Sequence, residues 1–331
     1  MKKIFVILAS VLLLAACEKQ IDIDVDDMES QVVVKAASEA GEPVSVDLTY
    51  SRPAFGSFYV HYNEDYFTAI TDATVTLTIN GTTSETATRN GGTYTFTHTP
   101  QPGEELSLEI SIPGHDLVKA SAIVPQIPDI SNVDTSYSSQ IYDYYSLLST
   151  NINFTLNDAA ATDDYYTIRL RETDTVIYIS SDDAGNITSQ DTTIENYYRF
   201  FECTDYLLVN NNGIDIEDPT AARTFSGTEM FFTDATINGI SHDIKLVGQD
   251  NRYWDYKSSD SIIVRYGLTL EVTALTRDLY LYRQTINSYD DDELLGFFSE
   301  PVQVHSNIDG GIGIFGVCSK FIAPIPIRNI E

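Results

Sequence analysis

Basic residues are scarce in this sequence. Nineteen lysines and arginines face 49 aspartates and glutamates, a formal net charge of −30. Nucleic acid and anionic lipid are bound through lysine and arginine, so this balance excludes nucleic acid as a partner. Cysteine is almost absent: Cys17, Cys203 and Cys318 are the only three in 331 residues. The five histidines His61, His98, His115, His242 and His305 are scattered and lack zinc-ligand spacing. The chain has no Gly-x-Ser-x-Gly elbow, no His-Glu-x-x-His, no phosphate loop and no dinucleotide-type glycine fingerprint. Carboxylates are so abundant that no pair of them signals a glycosidase, whose mark is the distance between two acids. The expectation is a non-enzyme with no cofactor. Beyond residue 14 there is also no apolar run of the ~20 residues a membrane-spanning helix needs.

What is present begins at the N-terminus. Lys2 and Lys3 precede an apolar run from Ile4 to Leu14, and Leu14-Ala15-Ala16-Cys17 closes it. The run is too short to span a bilayer and has the three parts of a signal peptide. Leucine, two small residues and cysteine form a lipobox, so residues 1–16 are expected to be removed and Cys17 lipidated. The other reading is an ordinary secreted protein with a chance cysteine. Acyl chains such as palmitate contribute about 0.8 kcal/mol per buried methylene, so several of them anchor firmly without spanning. Glu18, Asp22, Asp24, Asp26, Asp27 and Glu29 follow within a tether over 17–30. Such an acidic stretch resembles export signals to the outer face of the outer membrane, and reads equally as a solvated tether. In that oxidising setting the leftover Cys203 and Cys318 are either a disulfide, contributing about 4–5 kcal/mol through its long loop, or two buried thiols.

Strand signals dominate the rest. Val44, Val46, Leu48 and Tyr50 alternate with polar residues, as do Val75, Leu77 and Ile79 before Asn80-Gly81, and Leu106, Leu108, Ile110 and Ile112. With Val32–Ala36, Tyr94–Phe96 and Ala120–Val124 they predict an N-terminal antiparallel sandwich over 31–125. The polar stretch after Pro125 and Pro128 reads as a linker over 126–140. A C-terminal β domain over 141–331 follows, with strands at Ile152–Leu156, Tyr165–Leu170, Val176–Ile179, Tyr197–Phe201, Ile244–Val247, Leu268–Ala274 and Gly310–Val317. One helix is predicted at Arg277–Tyr289, capped by Thr276, with Leu279, Tyr282, Ile286 and Tyr289 as its packing stripe. The fold class is therefore all-β: an Ig-like sandwich followed by a larger sandwich or flattened barrel with one short helix.

Two features carry binding chemistry. Asp22-x-Asp24-x-Asp26 starts like a calcium loop but has Asp27 where glycine is needed and Val33 where glutamate is needed. Asp290-Asp291-Asp292-Glu293 could hold a cation, though like-charge runs are commonly just solvated. The loop Ser51–Ala69 carries Phe55, Phe58, Tyr59, Tyr62, Tyr66 and Phe67. It is too long for a hairpin turn and too aromatic for a disordered one, so it either docks on the second domain or forms a contact surface.

Two resemblances follow from these residues. Asp72-Ala73-Thr74-Val75-Thr76-Leu77, Gly91-Gly92-Thr93-Tyr94-Thr95-Phe96 and Pro102-Gly103-Glu104-Glu105-Leu106 resemble transthyretin-like surface modules, which implies a scaffold or binding unit. The stretch from Phe298 to Gly316, with Ser306-Asn307-Ile308 and Gly313-Ile314-Phe315-Gly316, resembles the signature of the lipoprotein family catalogued as domain of unknown function 4249. Phe232-Thr233-Asp234 with Ile237-Asn238-Gly239 fits its middle, and the lipobox with Val32–Val34 and Val44–Thr49 fits its start. The resemblance implies an outer-membrane lipoprotein serving a TonB-dependent transporter as a binding accessory, with no catalytic residues. The alternative is a structural or adhesive surface protein. The ligand is not legible.

Overall fold

The computed structural model describes residues 30–51, 68–141, 146–160, 162–182, 184–209, 224–250, 261–291 and 303–326. Cys17, residues 18–29 of its tether and the six loop aromatics lie outside them.

The described residues of the N-terminal part supply nine strands: β1 (Val32–Glu39), β2 (Ser45–Tyr50), β3 (Thr68–Ala69), β4 (Thr74–Ile79), β5 (Thr83–Thr86), β6 (Thr88–Asn90), β7 (Thr93–Thr95), β8 (Glu105–Ser111) and β9 (Val118–Ile123). The predicted alternation is observed. Val32, Val34 and Ala36 of β1 and Leu106, Leu108 and Ile110 of β8 point inward while their neighbours meet solvent. Asn80 and Gly81 turn the β4–β5 hairpin with φ of 50° and 64°, the left-handed conformation that asparagine and glycine tolerate.

The C-terminal part continues with β10 (Asp129–Ile141), β11 (Ser146–Asn157), β12 (Tyr165–Ser181), β13 (Ile187–Arg199), β14 (Phe201–Cys203), the single-turn helix α1 (Tyr206–Val209), β15 (Phe225–Gly227) and β16 (Glu229–Thr233). It ends with β17 (Ser241–Asp250), β18 (Ser261–Leu275), α2 (Arg277–Asp291) and β19 (Ile312–Ile325). The stretch expected to be a linker is the thirteen-residue strand β10. Its polar side chains bond across the ladder instead of packing: Asn132 donates to Thr155, Asn151 to Ser138 and Asn157 to Ser131. The two short strands expected at Tyr165–Leu170 and Val176–Ile179 are one, β12, because Arg171, Glu172 and Asp174 between them are paired rather than turned out into a loop.

Among the described residues these strands form three sheets. A ten-stranded sheet runs β13-β12-β18-β19-β1-β2-β7-β6, with β16 beside β12 and β3 beside β2. A four-stranded sheet, β5-β4-β8-β9, packs on its N-terminal half, and a five-stranded sheet, β10-β11-β17-β14-β15, on its C-terminal half. These are sandwiches, not a barrel. The strand that unites them is β19. Its first half pairs in parallel with β1 (Val33 opposite Ile312 through Glu39 opposite Cys318), and its second half pairs antiparallel with β18 (Leu275 opposite Cys318 through Leu268 opposite Ile325). Phe315 and Val317 therefore lie in the first core and Ile325 in the second. The C-terminal strand completes the N-terminal sandwich and crosses the boundary expected at 126–140. A third, small core of Phe231, Leu275, Leu279, Tyr280 and Ile314 seats α2 on the sheet. Leu279 lies in the predicted stripe, whereas Tyr280 does not and is buried all the same.

Candidate functional site

The family-like stretch near the C-terminus builds structure. Asn307 donates from Nδ2 to the Phe315 carbonyl at 2.8 Å, and its Oδ1 accepts the Phe315 N–H at 2.9 Å. Its side chain thus acts as a strand for one residue of β19. The Ser306 hydroxyl accepts the Gly313 N–H at 3.1 Å. Gly313 sits at φ 116°, where a Cβ would fall 2.0 Å from the Val34 carbonyl oxygen, so only glycine lets β19 lie against β1 here. A Cβ on Gly316 would meet the Leu279 Cβ at 2.6 Å, which fixes how closely α2 approaches. His305 Nε2 lies 2.8 Å from Asp278 Oδ1 and ties the segment to the first turn of α2.

The second stretch, Phe232-Thr233-Asp234 with Ile237-Asn238-Gly239, leads to an aspartate cluster. Thr233 caps a 3-10 turn over Asp234–Thr236, and the turn carries Asp234 inward. Asp158, Asp164 and Asp234 each place a carboxylate oxygen within 4.8 Å of the others. Each has a donor. Tyr166 Oη and the Gly239 N–H donate to Asp158 at 3.0 and 2.9 Å, the Thr162 hydroxyl to Asp164 at 2.7 Å, and Asn238 Nδ2 to Asp234 at 3.0 Å. Burial, then the charges of Asp158 and Asp163, raise the Asp164 carboxyl above the ordinary range despite the Thr162 bond. Burial, then Asp158, Asp164 and Asp163, raise Asp234, against a backbone bond from Asp164. The Tyr166 hydroxyl is raised too, by burial first and the neighbouring carboxylates after it. Among the described residues this is the group of acids whose geometry suits a hard divalent cation. Its three carboxylates are half or fewer of the 6–8 oxygens calcium takes.

Asp164 also borders a cavity of about 460 Å³ at the seam of the two sandwiches. Ile123 and Pro125 wall it from the N-terminal side, Asp163 and Asp164 from the loop before β12, and Arg277 and Asp278 from the start of α2. Ser319 Oγ donates to the Pro125 carbonyl at 2.7 Å and holds the seam closed beneath it. Four carboxylates, counting Glu105, face one arginine there. The excess of acids favours a cationic group over an anionic one, beside an apolar strip and the hydroxyls of Ser121 and Thr276.

The residues singled out from sequence fare differently. Cys203 and Cys318 are not bridged. They stand on different sheets, Cys203 inside the second core and Cys318 beside the third, where β19 changes neighbours. Burial pushes both thiols up to about 11, so neither is a thiolate at neutral pH. Asp290 and Asp291 end α2, while Asp292 and Glu293 lie outside the described residues. Phe55, Phe58, Tyr59, Tyr62, Tyr66 and Phe67 also lie outside them. Their loop leaves from β2 and returns on β3, where Thr49 faces Ala69 and Tyr50 faces Thr68. Asp158 and Asp164 were missed from sequence. In a chain with 49 acids, only the Asp234-to-Gly239 stretch marked the place.

These features define an all-β protein of two sandwiches sharing one strand, with an acidic seam. The chain belongs to the family described as Domain of unknown function (DUF4249), whose model matches residues 18–321. No curated protein matches it.

Proposed function

We propose that this protein is a lipoprotein of the outer membrane surface that binds rather than transforms its target, as an accessory to a TonB-dependent transporter. The observation that carries the reading is the position of Cys17. It ends a signal-peptide-like leader and stands one residue before the family match begins at Glu18. The leader and lipobox are thus set apart from the matched body, as an export signal is. A tether over 17–30 reaches at most about 45 Å when extended at ~3.5 Å per residue. That is enough to let the sandwiches contact a neighbouring barrel.

The aromatic loop is the proposed contact surface, since tyrosine and phenylalanine give large contact area and a few such residues carry most of an interface's energy. Two experiments test the function. In cells fed labelled palmitate, the wild-type protein takes up label and fractionates with the outer membrane, while Cys17→Ser stays unprocessed and unlabelled. A mature N-terminus at any other residue ends the lipoprotein reading. The triple change Tyr59→Ala, Tyr62→Ala and Tyr66→Ala then abolishes co-purification with a barrel partner at an unchanged Tm. A stable, anchored triple variant that still captures its partner refutes the loop's role.

A further inference from the structure

The seam cavity joins side chains that neither sandwich brings together alone. Glu105 opens β8 and lies directly opposite Ile123 of β9 in the ladder, so an acid and an apolar side chain stand together on the N-terminal wall. Ile123 is 65% exposed, and Pro125 lines the cavity with it. The facing wall comes from the C-terminal sandwich. There Tyr165 of β12 pairs with Leu275 of β18, and Asp163 and Asp164 immediately precede it. The volume of about 460 Å³ lies within the ~300–1,000 Å³ usual for small-ligand sites, and a junction between two folded units is a common place for one.

The acids of this lining are not equivalent. Asp278 is engaged, since its carboxylate oxygens face His305 Nε2 at 2.8 Å and Asn307 Nδ2 at 3.4 Å. Glu105 and Asp163 are exposed and Asp164 is half-buried, so carboxylates within reach of a ligand stand on both walls. Burial, then the charges of Asp158 and Asp163, hold the Asp164 carboxyl above the ordinary range despite the Thr162 bond. A cation in the cavity relieves that repulsion, whereas an anion adds to it. A neutral ligand takes the carboxylates out of water without neutralising them, which costs free energy. A bare metal ion neutralises acids but leaves Ile123 and Pro125 uncovered.

We infer that the seam cavity binds a linear aliphatic diamine or polyamine, with one ammonium at Glu105, another at Asp163 and Asp164, and the methylene chain between them along Ile123 and Pro125. Charge at two separated points and carbon between them match the order of the lining. Tyr165 adds an aromatic ring on the Asp164 side, which attracts an ammonium or its methylenes. Arg277, exposed at the start of α2, is the lining residue that opposes a cation. The inference goes beyond the proposed function, because it holds whether or not Cys17 carries lipid and does not involve the aromatic loop.

The test is titration calorimetry on the full mature chain in detergent, with 1,5-diaminopentane as the probe. The expected result is saturable binding of one diamine per chain, and weaker binding of n-pentylamine, which keeps the carbon chain and loses one ammonium. Asp163→Asn and Glu105→Gln alter exposed side chains on different sandwiches, and each is expected to weaken binding at least fivefold at unchanged Tm. Arg277→Gln is expected to tighten it. Asp191→Asn removes the same charge opposite Tyr178, thirteen residues along β12 from Tyr165, and is expected to change little. Should Asp163→Asn disturb its loop, Glu105→Gln on the other wall decides by itself. Absence of saturable binding overturns the proposal. Equal weakening by Asp191→Asn and Asp163→Asn overturns it as well, because the amine is then merely attracted to an acidic surface, and n-pentylamine binding as tightly as the diamine removes the two-wall arrangement.

Discussion

Asp158, Asp164 and Asp234 bring three like charges within 4.8 Å, and the structure holds them there with hydrogen bonds from Tyr166, Gly239, Thr162 and Asn238. The raised carboxyls of Asp164 and Asp234 set a sign for pH dependence. A carboxyl whose pKa is higher in the folded state binds its proton more tightly there than in the unfolded chain. It imposes no penalty below the ordinary carboxylate range. The penalty grows as pH rises from that value to the raised one and is fully present above it. Asp164→Asn is therefore expected to be more stable than the wild type near pH 8. The advantage should shrink as the pH falls into the ordinary carboxylate range. Thermal melts of both proteins across pH check this, and a gap that does not change with pH refutes it.

At the level of elements, the segment before β19 and β19 itself depend on a few side-chain bonds to backbone. Phe315 is fully buried, and its N–H and C=O both pair with Asn307. Orphaning a buried polar group costs about 1–3 kcal/mol, so Asn307→Ala is expected to lower stability by at least that much. Asn307→Asp keeps the acceptor but loses the donor and adds a charge near Asp278, so it should also destabilise. Urea midpoints measure both, and an Asn307→Ala midpoint equal to wild type would show that the pairing contributes nothing. The alternation of β1, β2, β4 and β8 was legible because one face of each is buried and the other wet. Strand β10 was not. Its serines, threonines and asparagines carry no apolar period, and only the ladder to β11 makes it a strand.

Over the whole molecule, β19 decides the domain structure. Ile308, Phe315 and Val317 supply one wall of the N-terminal core from the far end of the chain. A fragment over 30–126 lacks that wall and the parallel partner of β1. It is expected to show no cooperative thermal transition by near-ultraviolet circular dichroism. Adding a synthetic peptide over 303–326 should restore one. Cooperative folding of the fragment alone would establish an autonomous first domain and remove β19 from that role.

Much about this protein is set by local pattern. Period-two alternation, turn residues such as Asn80-Gly81 and the periodic run of α2 specify all-β sandwiches with one helix, because burial of one face follows directly from side-chain spacing. The stretch from Ser306 to Gly316 places glycine where a Cβ has no room, Gly313 against β1 and Gly316 against α2. Other features were decided only by the tertiary structure. The long-range parallel pairing of β1 with β19, the convergence of three aspartates from distant segments and the separation of Cys203 from Cys318 each depend on which strands become neighbours. No local period encodes that choice. It comes from closing two cores at once with a single strand.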